Sequence, residues 1–272
     1  MRRVEHVMGF PVSLRVDDAH IGEETADAVF AWLRAVDARF SPFRSGSEVC
    51  RLGRGELAYR DVSADLREVL DVCEEYRIAT GGAFDVRLPG RGLDPCAVVK
   101  GWSVQRAAGL LRAAGARRFV LNAGGDVVTA GGPWRVGVRH PEQAGQVCAV
   151  AVLTDGAIAT SARYERGDHI LDGRTGRPAT GLLSVTVVAS SLTVADTTAT
   201  AAFAMDVAGV GWAASREGCE VFAVDAERRV LRTAGFPVAP PQLTANARPA
   251  RSSPGGPLGQ LAPEASSRNS PL

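Results

Sequence analysis

The stretch RFVLNAGGDVVTA, residues 118–130, decides the fold. Arg118 to Asn122 reads as a strand, Ala123-Gly124-Gly125-Asp126 as a turn, and Val127 to Ala130 as a second strand. So short a connection joins antiparallel neighbours, because a parallel crossover takes a dozen residues or more. Upstream, Val12, Leu14 and Val16 alternate with Ser13 and Arg15, as in a half-exposed strand. Apolar spacing predicts a helix over 23–40 that buries Val29, Leu33, Val36 and Phe40. A second, over 64–80, sets Leu66, Val69, Leu70, Cys73 and Tyr76 on one side and stops at Gly81-Gly82. A third is expected over 104–114, ended by Gly115. Downstream, the pattern predicts strands over 134–138, 148–153 and 184–189, a helix over 194–206, and a closing hairpin from 220–224 and 230–233. Helices beside several hairpins predict an α+β fold of mostly antiparallel or mixed sheets packed with helices, not a doubly wound one.

The 272 residues are 46% hydrophobic, ample for a packed core. With 31 basic against 30 acidic residues the net charge is +1, which gives no electrostatic footprint for nucleic acid or an anionic membrane. No run of 18 apolar residues occurs, so no transmembrane segment is expected. The start, MRRVEHVMGFPV, lacks a secretory apolar stretch and no lipid-anchor cysteine follows, so the expected location is cytoplasmic. Five scattered cysteines, never in C-x-x-C spacing, suit reduced thiols better than disulfides or zinc. Residues 237–272 hold 8 of the 15 prolines and no aromatic residue, and are expected to be a disordered tail behind a body spanning 1–236. Lys100 is the one lysine in a chain whose other basic residues are all arginine. The two side chains are not interchangeable at a tight polar site.

Nucleotide-binding glycine signatures, nucleophile elbows and zinc-protease motifs are all missing from the sequence. Chemistry is left to polar residues lodged in apolar surroundings. In TVADTTATAAFAM, 193–205, Asp196 and Thr200 share one helix face. A buried carboxylate there needs a partner. Either a hard cation such as Mg2+ takes these oxygens, or Asp196 serves the helix N-terminus and the threonines bond back to carbonyls. TGGAFDV, 80–86, offers close backbone approach, the ring of Phe84 and the carboxylate of Asp85, and reads equally as a helix stop with a core phenylalanine. In LDPCAVVKGWSV, 93–104, Asp94 and Lys100 flank an apolar turn before a helix, as site residues or as an ion pair. NAGGDVVTAGG, 122–132, is an anion-accepting turn or a tight hairpin. IATSARYERGDHILDGRTGRP, 158–178, supplies Thr160, Ser161 and His169, the last titrating near neutrality.

Taken in order, these segments resemble the ApbE family, flavin transferases that move FMN from FAD onto a protein hydroxyl. The family pattern runs through M-G-T, D-x-x-F-S-x-Y, G-x-F-D, L-D-L-x-x-x-x-K-G, N-x-G-G-D, T-S-G, H-I-x-D-P-x-T-G and A-D-x-x-x-T. It is matched here at 8–10, 37–43, 82–85, 93–101, 122–126, 160–162, 169–176 and 195–200. The resemblance implies an ApbE-like fold and a Mg2+ site of Asp196 and Thr200 with the carbonyls of Ala97 and Ala199. It implies FAD contacts at Met8, Phe43, Ala83, Phe84, Asp85, Asp94, Lys100 and Ile170, and His169 as base or phosphate contact. FAD would be the substrate, AMP the leaving product, and the acceptor a Thr or Ser in an S/T-G-A-T-like segment of a redox flavoprotein. An FAD pyrophosphatase giving FMN and AMP, or a non-catalytic FAD-binding protein, would share the same residues. The chain departs from the pattern with Phe43 for tyrosine, Pro95-Cys96 for leucine and a small residue, Gln105 for an acidic residue, Ala162 for glycine and Gly173 for proline.

Overall fold

In the computed structural model, residues 1–88, 92–167 and 169–239 are described, apart from the side chains of 165 and 166. The chain opens with a hairpin, β1 (Arg2–Val7) and β2 (Phe10–Val16), and then runs into α1 (Glu23–Phe40), α2 (Glu48–Gly53) and α3 (Ala64–Ala79). A two-residue pairing, β3 (Arg87–Leu88) with β4 (Gly92–Leu93), leads to α4 (Cys96–Ala113). Five strands follow: β5 (Phe119–Ala123), β6 (Asp126–Ala130), β7 (Trp134–Arg139), β8 (Val147–Leu153) and β9 (Gly156–Ala162). After the single turn α5 (Arg163–Arg166), β10 (Leu171–Asp172) pairs with β11 (Arg177–Pro178). The last elements are β12 (Leu182–Ala189), α6 (Leu192–Ala204), α7 (Val207–Ala214), β13 (Glu220–Asp225) and β14 (Val230–Arg232).

Eight strands form one sheet in the order β1-β2-β5-β6-β9-β12-β13-β14, and every pairing in it is antiparallel. The expected α+β architecture is therefore present. One face carries alternate residues such as Leu14, Leu121, Ala159 and Val187 into a core shared with α1, α4 and α6. A second core, between α1, α3 and α4, holds Phe40, Leu66, Tyr76, Val98 and Trp102. The hairpin β7–β8 covers part of the opposite face, where Val127, Ile158, Leu153 and Phe222 pack together. Both faces of β6 are thus covered, and all five of its residues are buried.

The helices over 23–40 and 64–79 form where the apolar spacing demands them. Val29, Phe30, Leu33, Val36 and Phe40 of α1 are all buried. Ser63 caps α3 by accepting from the Leu66 N–H at 3.3 Å. The third helix differs from expectation, because α4 begins at Cys96, eight residues before the predicted start. Pro95 is the residue before its first turn, where no N–H is needed, and Asp94 Oδ1 accepts from the Cys96 N–H at 3.0 Å. Burial of Val98 and Val99 outweighs their weak intrinsic preference for helix. Sequence reading also missed β1, α2, α7 and β9, the last because its hydroxyls and alanines broke up the apolar pattern.

The ordered body also runs past the expected boundary at 236. Val152 N–H donates to the Pro237 carbonyl at 2.8 Å and Ala239 N–H to the Val150 carbonyl at 2.7 Å. The remainder of the expected tail, 240–272, lies outside the described residues. Among the described residues, no helix is long and apolar enough to cross a membrane.

The approach of α4 to α6 is set by one missing side chain. A Cβ placed on Gly101 of α4 would lie 2.6 Å from the Leu192 carbonyl oxygen and 2.8 Å from the Asp196 Cβ, both on α6. Gly109 on the same helix meets nothing within 4 Å. Gly101→Ala should therefore destabilise the protein by about 1–3 kcal/mol through overpacking. Gly109→Ala should instead stabilise it by about 0.5–1 kcal/mol. Urea unfolding of the two variants beside the native chain checks the opposite signs.

Candidate active site

The α4–α6 contact forms the base of a cleft of about 470 Å³. Asp196, on α6, is 2% exposed. Its Oδ2 accepts from the Gly101 N–H at 2.9 Å, and its Oδ1 lies 3.4 Å from the Lys100 ammonium. Lys100 also forms an ion pair with Asp126 of β6. Asp126 Oδ1 accepts from the Thr160 N–H at 3.1 Å, and its carboxylate is as buried as that of Asp196. One turn along α6 from Asp196, the hydroxyls of Thr200 and Ser161 are 3.1 Å apart. Gln105 of α4 fixes the start of α6 by accepting from the Leu192 N–H at 2.8 Å.

Oxygen is the chemistry of this base, from the Asp196 carboxylate and the Thr200 hydroxyl, with Ala97 also in the cleft wall. The Gly101 amide, four residues on from Ala97, is drawn to Asp196. Among the described residues no group of three His, Cys, Asp or Glu gathers as a metal cluster. Two or three hard oxygens with room for water and phosphate fit Mg2+ and do not fit zinc. Lys100 standing against Asp196 Oδ1 shows that the carboxylate accepts a cation at that point.

The walls come from loops. Met8 and Gly9 form the two-residue turn between β1 and β2, with φ of +58° and +84°. That turn favours Asn-Gly, and a methionine there carries a backbone cost of about 1–2 kcal/mol. Ser103 Oγ reaches the Met8 sulfur at 3.7 Å. Phe43 lies in the rim and is 87% exposed, an open aromatic face. Phe84 is only 3% exposed and packs on Tyr76 with ring centroids 5.9 Å apart, so it builds the wall instead of offering a free face. Asp85, Asp94 and Ile170 line the cleft with His169. His169 Nδ1 is 3.1 Å from the Gly167 carbonyl; a carbonyl only accepts, so Nδ1 carries the N–H of that contact.

The sequence-derived residues are thus brought together, with two exceptions. Ala83 and Ala199 are fully buried and do not line the cleft. The Ala83 carbonyl accepts from the Gly173 N–H at 2.8 Å, and Ala199 packs in the core between helices and sheet. The 122–126 segment is a tight hairpin turn, closed by Asn122 Oδ1 accepting from the Gly125 N–H at 3.0 Å. Asp126 does not line the cleft but pairs with Lys100, which does, and it was not among the sequence-derived residues. Its signal in the sequence was a carboxylate opening the apolar strand DVVTA, together with a lone lysine needing an anion.

Burial pushes the Asp196 carboxyl up to about 7, against the opposing pull of Lys100 and the Gly101 amide, with Asp126 adding repulsion. A carboxyl raised in the folded state contributes stability that is full below its unfolded value and is lost as pH rises through the folded one. Removing the charge should remove this loss. The stability of Asp196→Asn relative to the native chain, measured by urea unfolding with chelator present, should rise from about pH 4 to pH 7 and level off above.

The sequence matches the ApbE family over residues 8–90 and 86–223. Two curated relatives, both named FAD:protein FMN transferase, come from Rhodobacter capsulatus and Salmonella typhimurium. The first is 41% identical over 134 residues, covering 45% of this chain and 26% of the relative. The second is 29% identical over 161 residues, covering 54% of this chain and 46% of the relative. The chain therefore spans less than half the length of either. In fold it is similar to the flavin transferase ApbE from Vibrio cholerae, with a TM-score of 0.76 at 20% identity over 87% of this chain and 97% of that one. The match covers most of the body and takes in both the cleft loops and the Asp196 helix: this chain belongs to the ApbE family.

Proposed function

We propose that the chain is an FAD:protein FMN transferase that cleaves FAD and joins FMN through a phosphoester to a Thr or Ser of a redox protein. Family membership and the names of its relatives support this reading. The observation that carries it is a buried carboxylate, Asp196, at the base of a cleft whose rim bears an exposed aromatic ring. Such a cleft suits a ligand with a flat ring at one end and a polyanion along its length.

Phe43 would stack on the isoalloxazine, with Met8 and Ile170 adding apolar contact and Phe84 shaping the wall. Asp85 and Asp94 would accept hydrogen bonds from ring or sugar, and Lys100 would meet the pyrophosphate charge. Asp196, Thr200 and the Ala97 carbonyl would hold Mg2+, which supplies charge neutralisation at the diphosphate. His169 Nε2 would take the proton from the acceptor hydroxyl as its oxygen attacks the FMN phosphorus. The bond to the AMP phosphate breaks, AMP leaves with the electron pair, and FMN remains esterified to the acceptor. An S/T-G-A-T-like segment is the acceptor that the family resemblance implies.

The test is incubation with FAD, Mg2+ and an acceptor domain carrying such a segment, followed by AMP chromatography and in-gel flavin fluorescence. AMP and labelled acceptor should appear together. Free FMN without labelled acceptor would make the protein a pyrophosphatase, and FAD returned intact would remove catalysis altogether. Asp196→Ala should abolish AMP release, whereas His169→Ala should slow it by about 10²–10⁴-fold with FAD binding retained.

A further inference from the structure

The chain's single lysine stands at the base of the cleft between two buried carboxylates. Asp126 and Asp196 side chains are 2% and 3% exposed, and Lys100 is 23% exposed. One cation therefore serves two anions, and the nearer anion is Asp126. We propose that Asp126 is a positioning residue that shares the Lys100 ammonium with Asp196 and weakens its hold there, so that a divalent cation can displace it from Asp196 Oδ1. The proposal rests on the reading of Asp196 as a metal ligand.

The geometry argues for competition at one atom. Asp196 Oδ2 is engaged by the Gly101 amide at 2.9 Å, so Oδ1 is the oxygen that faces Lys100 at 3.4 Å. Asp126 is anchored on the sheet side, where the Thr160 amide holds its Oδ1 at 3.1 Å, and its Oδ2 takes the ammonium. With that anion gone, Asp196 is the buried charge left for Lys100 to pair with, and an ion pair in a poorly solvated pocket is hard for an incoming cation to displace. This also accounts for a lysine in a chain otherwise served by arginine. A compact ammonium seats between two carboxylate oxygens and shifts by a rotamer, whereas a planar guanidinium would lock onto one carboxylate through two parallel bonds.

Charge counting then orders four proteins. Native and Asp126→Asn/Lys100→Met keep the same net charge around Asp196, Lys100→Met is more negative, and Asp126→Asn is more positive. Titration with Mn2+ alone, without flavin, followed by the paramagnetic resonance of the free ion, reads the affinities. Asp126→Asn should bind Mn2+ about tenfold more weakly or worse, and Lys100→Met should bind it more tightly than native. The double variant should return to within about threefold of native. The amide of Asn keeps an acceptor for the Thr160 N–H, and thermal unfolding of each variant reports that it is folded.

A double variant as weak as Asp126→Asn would make Asp126 merely structural and overturn the proposal. So would unchanged affinity in Asp126→Asn, or no Mn2+ binding by the native protein. Asp196→Ala separates the two levels. If it binds Mn2+ as native does, the metal-ligand reading fails; if it loses Mn2+ while Asp126→Asn does not, only the positioning role fails.

Discussion

The molecule is organised around keeping one carboxylate out of water among directed partners. Burial opposes ionisation of Asp196, and only directed partners offset it. The fold supplies an amide from Gly101 and an ammonium from Lys100, two consecutive residues of one helix. They reach Asp196 because α4 and α6 approach more closely than any side chain at position 101 would permit. The composition of α6, nine alanines and threonines among 13 residues, serves the same end: small side chains let a helix be buried on nearly every side.

Sheet topology gathers what the helices alone do not hold. Asp126 and Thr160 come from β6 and β9, which are neighbours in the sheet though 34 residues apart in the chain. Their covered faces fix the register, since a slip of one residue would turn Asp126 out of the site and an apolar side chain into it. The opposite wall depends on a loop-to-loop contact. Gly173 sits so close to the 82–85 segment that a Cβ would lie 2.4 Å from the Gly82 carbonyl. The turn bearing Asp85 and the segment bearing His169 and Ile170 are thereby held as one surface.

Legibility in the sequence followed the range of the forces involved. Periodicity revealed α1 and α3 almost to the residue, because one apolar face against one core leaves a regular trace. It failed at the start of α4, where Val98 and Val99 are helical only because tertiary burial overrides preference, and at β9, where Ile158 is the one large apolar side chain among buried glycine, alanine and serine. The pairing of Asp196 with Thr200 was visible because four-residue spacing is a local property of helices. The pairing of Asp196 with Asp126 through Lys100 was not, because only the folded sheet brings three distant segments together. A lysine surviving among thirty arginines was the one trace that such a constraint left in the composition.

The departures from the family pattern fall where this structure provides the lost property by other means. Ala162 replaces a glycine, yet its φ of −156° is ordinary extended backbone, so no glycine is required. Gln105 replaces an acidic residue and keeps the acceptor oxygen that the start of α6 uses. Phe43 keeps an aromatic face at the rim, where loss of a hydroxyl costs nothing in burial because the ring is solvated. Gly173 works in the opposite direction. A proline there would carry a Cβ into the Gly82 carbonyl and lose the N–H that donates to the Ala83 carbonyl, so glycine is what lets the two loops meet at this distance. The substitution that costs most in chain entropy is therefore the one that joins the loop bearing Asp85 to the segment bearing His169.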